Sequence, residues 1–217
     1  MSCCEGACET PTGRFFSKHS KRYAKQVRKG KLEKVQNMLL DGVRSGGVEG
    51  MSILDVGCGA GALHLALLAE GAASAVGVDM SEEMLGHART FAESKGYRER
   101  TKYITGDVVT SEEIAPADIT FMDKVVCCYE HLPNLLSRVI SNTRGLLAIS
   151  HPRDIWYARW LFKTQIFVSE LFRADFRPWW HDWKRMEAMI ELEGMELVTK
   201  GETAMWSVLV YRRSSLR

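Results

Sequence analysis

The sequence predicts an α/β fold built on a mostly parallel, doubly wound sheet. Three observations predict it: from about residue 52 short β-branched runs alternate with longer amphipathic stretches; one strand runs straight into a glycine-rich turn that opens a helix; and carboxylates stand at the ends of three successive strands. The 217 residues, 46% of them hydrophobic, can fill such a core without disulfides or metal staples. Collagenous, coiled-coil and disordered classes are excluded by composition. No apolar run approaches the roughly 18 residues that a membrane span needs.

Each element follows from local signals. Residues 52–56 read as a buried strand, 62–70 as a helix ended by Gly71, and 74–78 as a second strand. Ser81 is a helix N-cap with Glu82 and Glu83 in the first turn, where the helix dipole favours acids, and Gly96 is the stop. Residues 101–105, 117–122 and 146–150 give strands three to five, with a helix over 133–143. Beyond Ser150 the texture changes: all six tryptophans lie there, and 155–172 is apolar on nearly every face, which reads as an insertion. Asp182 caps a helix running to Glu193, and 196–200 with 204–212 form a final antiparallel pair joined near Gly201.

Charge is unevenly spread. Residues 14–34 hold nine Lys/Arg against Glu33 alone, so the net +2 of the chain leaves about six net negative charges elsewhere. One reading is a solvated helix face anchored by Phe15, Phe16, Tyr23 and Val27; the other is a lid that attracts an anionic substrate, an acidic lipid surface or nucleic acid. Nucleic acid ranks last, because such a binder would be basic over more of its length. Six cysteines with no export signal are expected to be reduced thiols of a cytoplasmic protein. Cys3, Cys4 and Cys8 could hold zinc or a soft ion such as arsenite, but with no clear fourth ligand we expect a mobile tail and no metal site.

The most informative stretch is Ile53-Leu54-Asp55-Val56-Gly57-Cys58-Gly59-Ala60-Gly61. Glycines let backbone N–H groups approach a ligand where a Cβ would clash. Gly57, Gly59 and Ala62 also satisfy a dinucleotide fingerprint, so a nicotinamide-dependent oxidoreductase is an alternative. Asp55 argues against it, because a carboxylate there would repel pyrophosphate and welcome a cation. Asp79 ends strand two, placed for ribose hydroxyls, and Gly106-Asp107-Val108 ends strand three, placed for an adenine edge.

In order and spacing, residues 50–150 resemble motifs I, post-I and II of class I S-adenosylmethionine-dependent methyltransferases. The resemblance implies a Rossmann-like, seven-stranded sheet with an antiparallel last strand, and S-adenosyl-L-methionine as cofactor with S-adenosyl-L-homocysteine as product. It implies that Gly57, Cys58, Gly59 and Gly61 pass the methionine part, Asp55 orients the loop and the ammonium, and Asp79 holds the ribose. Met80 would then pack on the adenine, while Gly106, Asp107 and Val108 read its edge. One domain is expected: a tail over 1–12, a helical basic lid over 13–48, a cofactor core over 49–150 and a substrate side over 151–217. A noncatalytic adenosylmethionine-binding regulator is a further alternative.

Methyl transfer from a sulfonium chiefly needs alignment, with a base where the nucleophile carries a proton. The expected catalytic residues are His151, Tyr129, Asp123 and Arg153, at the ends of strands four and five; Lys124, His131 and Asp154 lie beside them. Asp123 could instead pair with Lys124, and Arg153 with Asp154, while His64 reads as structural. Trp156, Trp160, Trp179, Trp180 and Trp183 read three ways: as a wall for a flat acceptor, as core, or as a membrane-interfacial face. Cys127-Cys128-Tyr129 and Pro152-Arg153-Asp154 resemble elements of other methyltransferases, and the general layout is loosely similar to magnesium-protoporphyrin O-methyltransferases. Signatures of nucleic-acid or protein methylation are absent from the sequence, so a small-molecule acceptor, anionic or aromatic, is expected.

Overall fold

A computed structural model describes residues 10–112, 114–172 and 176–214. Among them seven strands form one sheet: β1 (Ser52–Val56), β2 (Ser74–Asp79), β3 (Thr101–Thr105), β4 (Ala117–Met122), β5 (Thr143–Pro152), β6 (Met195–Glu202) and β7 (Trp206–Arg213). Their order is β3-β2-β1-β4-β5-β7-β6. The first five run parallel, and β7 is antiparallel to both β5 and β6. Strand order reverses between β1 and β4, so a crevice opens at their carboxyl ends, where sheets of this kind bind ligands.

Helices cover both faces, as parallel sheets require. One face packs against α5 (Leu132–Ser141) and α7 (Trp183–Leu192) through Leu135, Leu136, Val139, Met186 and Ile190. The other packs against α2 (Lys34–Arg44) and α3 (Ala62–Ala69) through Leu39, Leu40, Val43, Leu67 and Leu68. Ile53, Leu54 and Val56 of β1 are buried between these layers. Between β2 and β3 runs α4 (Glu82–Ser94), capped by Ser81 Oγ, which accepts from Met84 N–H. After β5 comes α6 (Trp156–Leu171).

Several boundaries shift by one or two residues from the sequence reading, and two features differ more. β5 begins at Thr143, immediately after α5, and runs to Pro152 because β7 pairs with it as far as Pro152 opposite Trp206. The last turn is not at Gly201. Gly201 lies inside β6, where a Cβ would collide with the end of the Met38 side chain. The turn is made by Thr203, whose N–H donates to Trp206 O at 2.8 Å and whose Oγ1 accepts from Trp206 N–H at 3.0 Å.

The basic segment forms α1 (Pro11–Arg28), with Pro11 at the first helical position and Thr10 Oγ1 accepting from Gly13 N–H at 3.0 Å. It lies on α4 through Gly13, Ser20 and Ala24, and Ser17 Oγ is 2.9 Å from Ser81 Oγ. Gly13 sets the approach: a Cβ there would stand 2.7 Å from Met80 O. Gly13→Val is therefore expected to lift α1 at a local cost of about 1–3 kcal/mol. Trypsin should then cut among the α1 lysines and arginines faster than in wild type, with the melting of the sheet core nearly unchanged; equal cutting rates would refute this docking.

Candidate functional site

The crevice holds a cavity of about 410 Å³. Its floor is the loop after β1 with the ends of β2, β3 and β4, and its roof is Phe15, Phe16 and Tyr23 of α1 with Phe176 and Pro178. Phe15 stacks on Phe176 at 4.8 Å between centroids, and Phe16 meets it edge-on at 5.6 Å. The floor turns tightly. Gly57, Gly59 and Gly61 have φ of 65°, 53° and 90°, the left-handed region in which side chains are strained. Gly57 and Cys58 N–H donate to Val78 O at 2.8 and 3.1 Å, folding the loop back on β2.

Three carboxylates face this space, Asp55 buried and Asp79 and Asp123 half-buried, each held differently. Asp55 Oδ2 accepts from His64 Nδ1 at 2.7 Å, and His64 Nε2 lies 3.0 Å from Tyr103 OH, so His64 has the structural place expected of it. Asp79 accepts from Gly59 N–H at 2.8 Å and from Ser81 N–H at 2.9 Å. Burial nevertheless pushes its pKa up to about 6, against these donors. Asp123 accepts from Ser150 Oγ at 2.7 Å and from Gln36 Nε2 at 3.3 Å; burial raises it too, opposed by Lys124 and these hydrogen bonds. At the β3 end, Asp107 Oδ1 accepts from Val109 N–H at 2.9 Å and Oδ2 from Tyr129 OH at 2.7 Å. Burial, then the Asp107 carboxylate, drives the Tyr129 phenol well above its ordinary range.

The cavity gathers Asp55, Gly57, Cys58, Gly59, Asp79, Met80, Gly106, Asp107, Val108, Asp123 and Tyr129; Gly61 stands just outside, at the N-cap of α3. His151 and Arg153 are not in it. His151 lies within β5 opposite Ser207, donates Nδ1–H to Pro152 O at 2.9 Å and packs on Trp183 at 5.0 Å between rings; burial lowers its pKa. Arg153 is held by Glu202 at 2.5 Å and Thr203 O at 3.1 Å, away from the cavity lining. The expected pairs also rearrange: Asp154 binds Arg159, and Lys124 binds Glu33 while lying 5.4 Å over the Trp206 ring. Lys124 has a φ of 60°, the left-handed region that side chains rarely adopt.

Of the six tryptophans only Trp206 lines the cavity; Trp183 is core, and Trp180 packs between Phe162 and Trp183. Gln36 and Glu33 were missed as site residues. Their capping-box spacing was visible, with Glu33 N–H donating to Gln36 Oε1 at 3.0 Å, but their reach to Asp123 and Lys124 arises only when α2 docks. Among the described residues no cluster of three or more His, Cys, Asp or Glu could hold a metal ion, and Cys3, Cys4 and Cys8 lie outside the described residues.

A doubly wound sheet with acids at three strand ends around a glycine turn defines a nucleoside-binding α/β protein. Residues 53–148 match the methyltransferase domain family, and over that stretch the chain is similar to the class I S-adenosylmethionine-dependent methyltransferases. It is 29% identical over 156 residues to the ubiquinone biosynthesis O-methyltransferase of Neisseria meningitidis, covering 68% of this chain and 62% of that protein. It is 33% identical over 104 residues to the ribosomal protein L11 methyltransferase of Klebsiella pneumoniae, covering 48% of this chain and 34% of that protein. The chain thus spans less than two thirds of these relatives. The crystal structure of magnesium protoporphyrin IX methyltransferase from Synechocystis PCC 6803, with bound SAH, shares the fold at a TM-score of 0.73 and 22% identity, covering 93% of this chain and 98% of that one.

The Asp55–His64 pair is fully buried, so removing one partner strands the other. His64→Ala is expected to cost about 3–5 kcal/mol, lowering the melting temperature by roughly 6–20 °C. A drop under about 2 °C would show that the pair contributes little.

Proposed function

We propose that the chain transfers a methyl group from S-adenosylmethionine to an O, N or S atom of a small, apolar or aromatic acceptor. The observation that carries this is one cavity with an acidic floor and an aromatic roof. The floor fits the cofactor: beyond its own chain neighbours nothing lies within 4 Å of a Cβ built on Gly59, leaving room for close backbone approach, and half-buried, incompletely solvated Asp79 favours further donors such as ribose hydroxyls. Asp55, Gly57, Cys58, Gly59 and Gly61 would take the methionine end, Met80 the adenine face, and Gly106, Asp107 and Val108 its edge. When bound, the sulfonium supplies a methyl group already activated for displacement.

The chain's own work is alignment, exclusion of water and proton removal. Asp123 is the candidate proton acceptor, since it faces the cavity and burial raises its basicity. Tyr129 stays protonated and serves as a positioning residue, holding Asp107. An apolar acceptor is favoured over an anionic one, because Asp55, Asp79, Asp107, Asp123 and Glu33 line the cavity against Lys31 and Lys124.

Calorimetry should give micromolar affinity for S-adenosylmethionine or its demethylated product, none for NAD, and a loss of at least about 100-fold in Asp79→Ala. Since the ionised carboxylate is the form that accepts hydroxyl donors, affinity should be level at neutral pH and fall about tenfold per unit once the pH drops below about 6. NAD-selective binding would overturn the assignment. In a labelled-methyl screen over metabolite fractions, Asp123→Asn should lower turnover by about 10²–10⁴ with cofactor affinity unchanged. Absence of transfer to any fraction would favour a regulatory cofactor-binding protein.

A further inference from the structure

The two helices that roof the cavity turn unusual faces to solvent. On α6, Trp156, Trp160, Phe167 and Leu171 are 80%, 65%, 64% and 62% exposed, and their spacing puts them on one stripe. The opposite stripe of the same helix is committed inward: Ala158, Phe162 and Ser169 are buried, and Phe162 and Gln165 line the cavity. On α1 the face away from both α4 and the cavity carries Lys21, Arg22, Lys25, Arg28 and Lys29, all exposed, and the helix contains no acid. Both helices reach the same cavity, because Phe15 and Phe16 of α1 pack on Phe176 and Phe162 of α6 lines it with them.

We propose that α1 and α6 form a docking surface for an anionic lipid bilayer, with the α6 aromatics inserted at the headgroup boundary and the α1 cations over the headgroups. A bare stripe of tryptophan and phenylalanine is the composition of an interfacial helix, and insertion of this kind gains stable binding when a basic patch adds a second attraction. Charge complementarity disfavours the obvious competitor. An isologous pairing of two copies that set α1 on α1 would bring like charges together. Nucleic acid would answer the cations and leave the α6 aromatics unexplained. Docked this way, the cavity roof abuts the region where apolar molecules dissolve. The inference does not rest on methyl transfer.

The test is co-flotation of the full chain with vesicles of phosphatidylcholine alone or mixed with phosphatidylglycerol. Binding is expected only with phosphatidylglycerol, is expected to fall as salt rises, and should be accompanied by quenching of tryptophan fluorescence by acyl-brominated lipid. Trp156→Ser with Trp160→Ser should lower partitioning about tenfold or more and remove most of the quenching. Lys21→Gln with Lys25→Gln should lower partitioning about tenfold or more while leaving the lipid-free fluorescence unchanged. Calorimetry with S-adenosylmethionine on both double variants should match wild type, which separates this inference from the cofactor assignment. No flotation of wild type, equal binding to both vesicle types, or a dimer that Trp156→Ser with Trp160→Ser dissociates would overturn the proposal.

Discussion

The site depends on keeping carboxylates charged out of water. A buried, ionised acid is costly unless donors replace its hydration, and the fold supplies donors in three ways. Asp79 uses backbone: Gly59 reaches it only because the glycine turn folds back on β2, and Ser81 N–H arrives because α4 starts there. Asp55 uses a histidine from the next helix, and Asp123 uses Ser150 of the neighbouring strand with Gln36 of α2. The backbone solution for Asp79 still leaves the carboxyl lifted to about 6. It is ionised at neutral pH, yet underserved, and this makes it receptive to ligand hydroxyls.

How much of this could be read from the sequence follows from how local each feature is. The glycine turn, Asp55 and Asp79 belong to contiguous strand–turn–helix segments and Asp107 to the loop that directly follows β3, so spacing alone places them at one sheet edge. His151 looks equally well placed in sequence, because it follows a buried apolar run. Its fate is decided far away: β7 pairs with β5 up to Trp206, and the added register draws His151 into the sheet against Trp183. Arg153 is lost to the same hairpin, through Glu202 and Thr203.

The aromatic segment shows the same limit in reverse. Tryptophans cluster in sequence after β5, but helix periodicity distributes them: Trp183 goes to the core, Trp156 and Trp160 go outward, and Trp206 enters the cavity from β7. Composition revealed that something unusual follows β5, without revealing which face each ring would take. The basic segment was similarly half legible. Its aromatics could be read as anchors, but that they roof a cavity depends on Gly13 allowing α1 within contact of Met80.

Floor and roof divide the labour of the cavity. The acidic floor offers acceptor groups to a polar, positively charged ligand, whereas the roof of Phe15, Phe16, Tyr23, Phe176 and Pro178, with Phe162 beside it, offers chiefly apolar surface and polarizable rings. A ligand that bridged the two would place its charged part against the sheet edge and leave its apolar part under α1. Water admitted at that boundary would lower the basicity of Asp123 by relieving its desolvation, so the fit of the roof and the proton affinity of the floor are coupled. The docking of α1 is therefore part of the chemistry, although the α1 residues that line the cavity, Thr12, Phe15, Phe16, Tyr23, Gln26 and Val27, carry no base to accept the transferred proton.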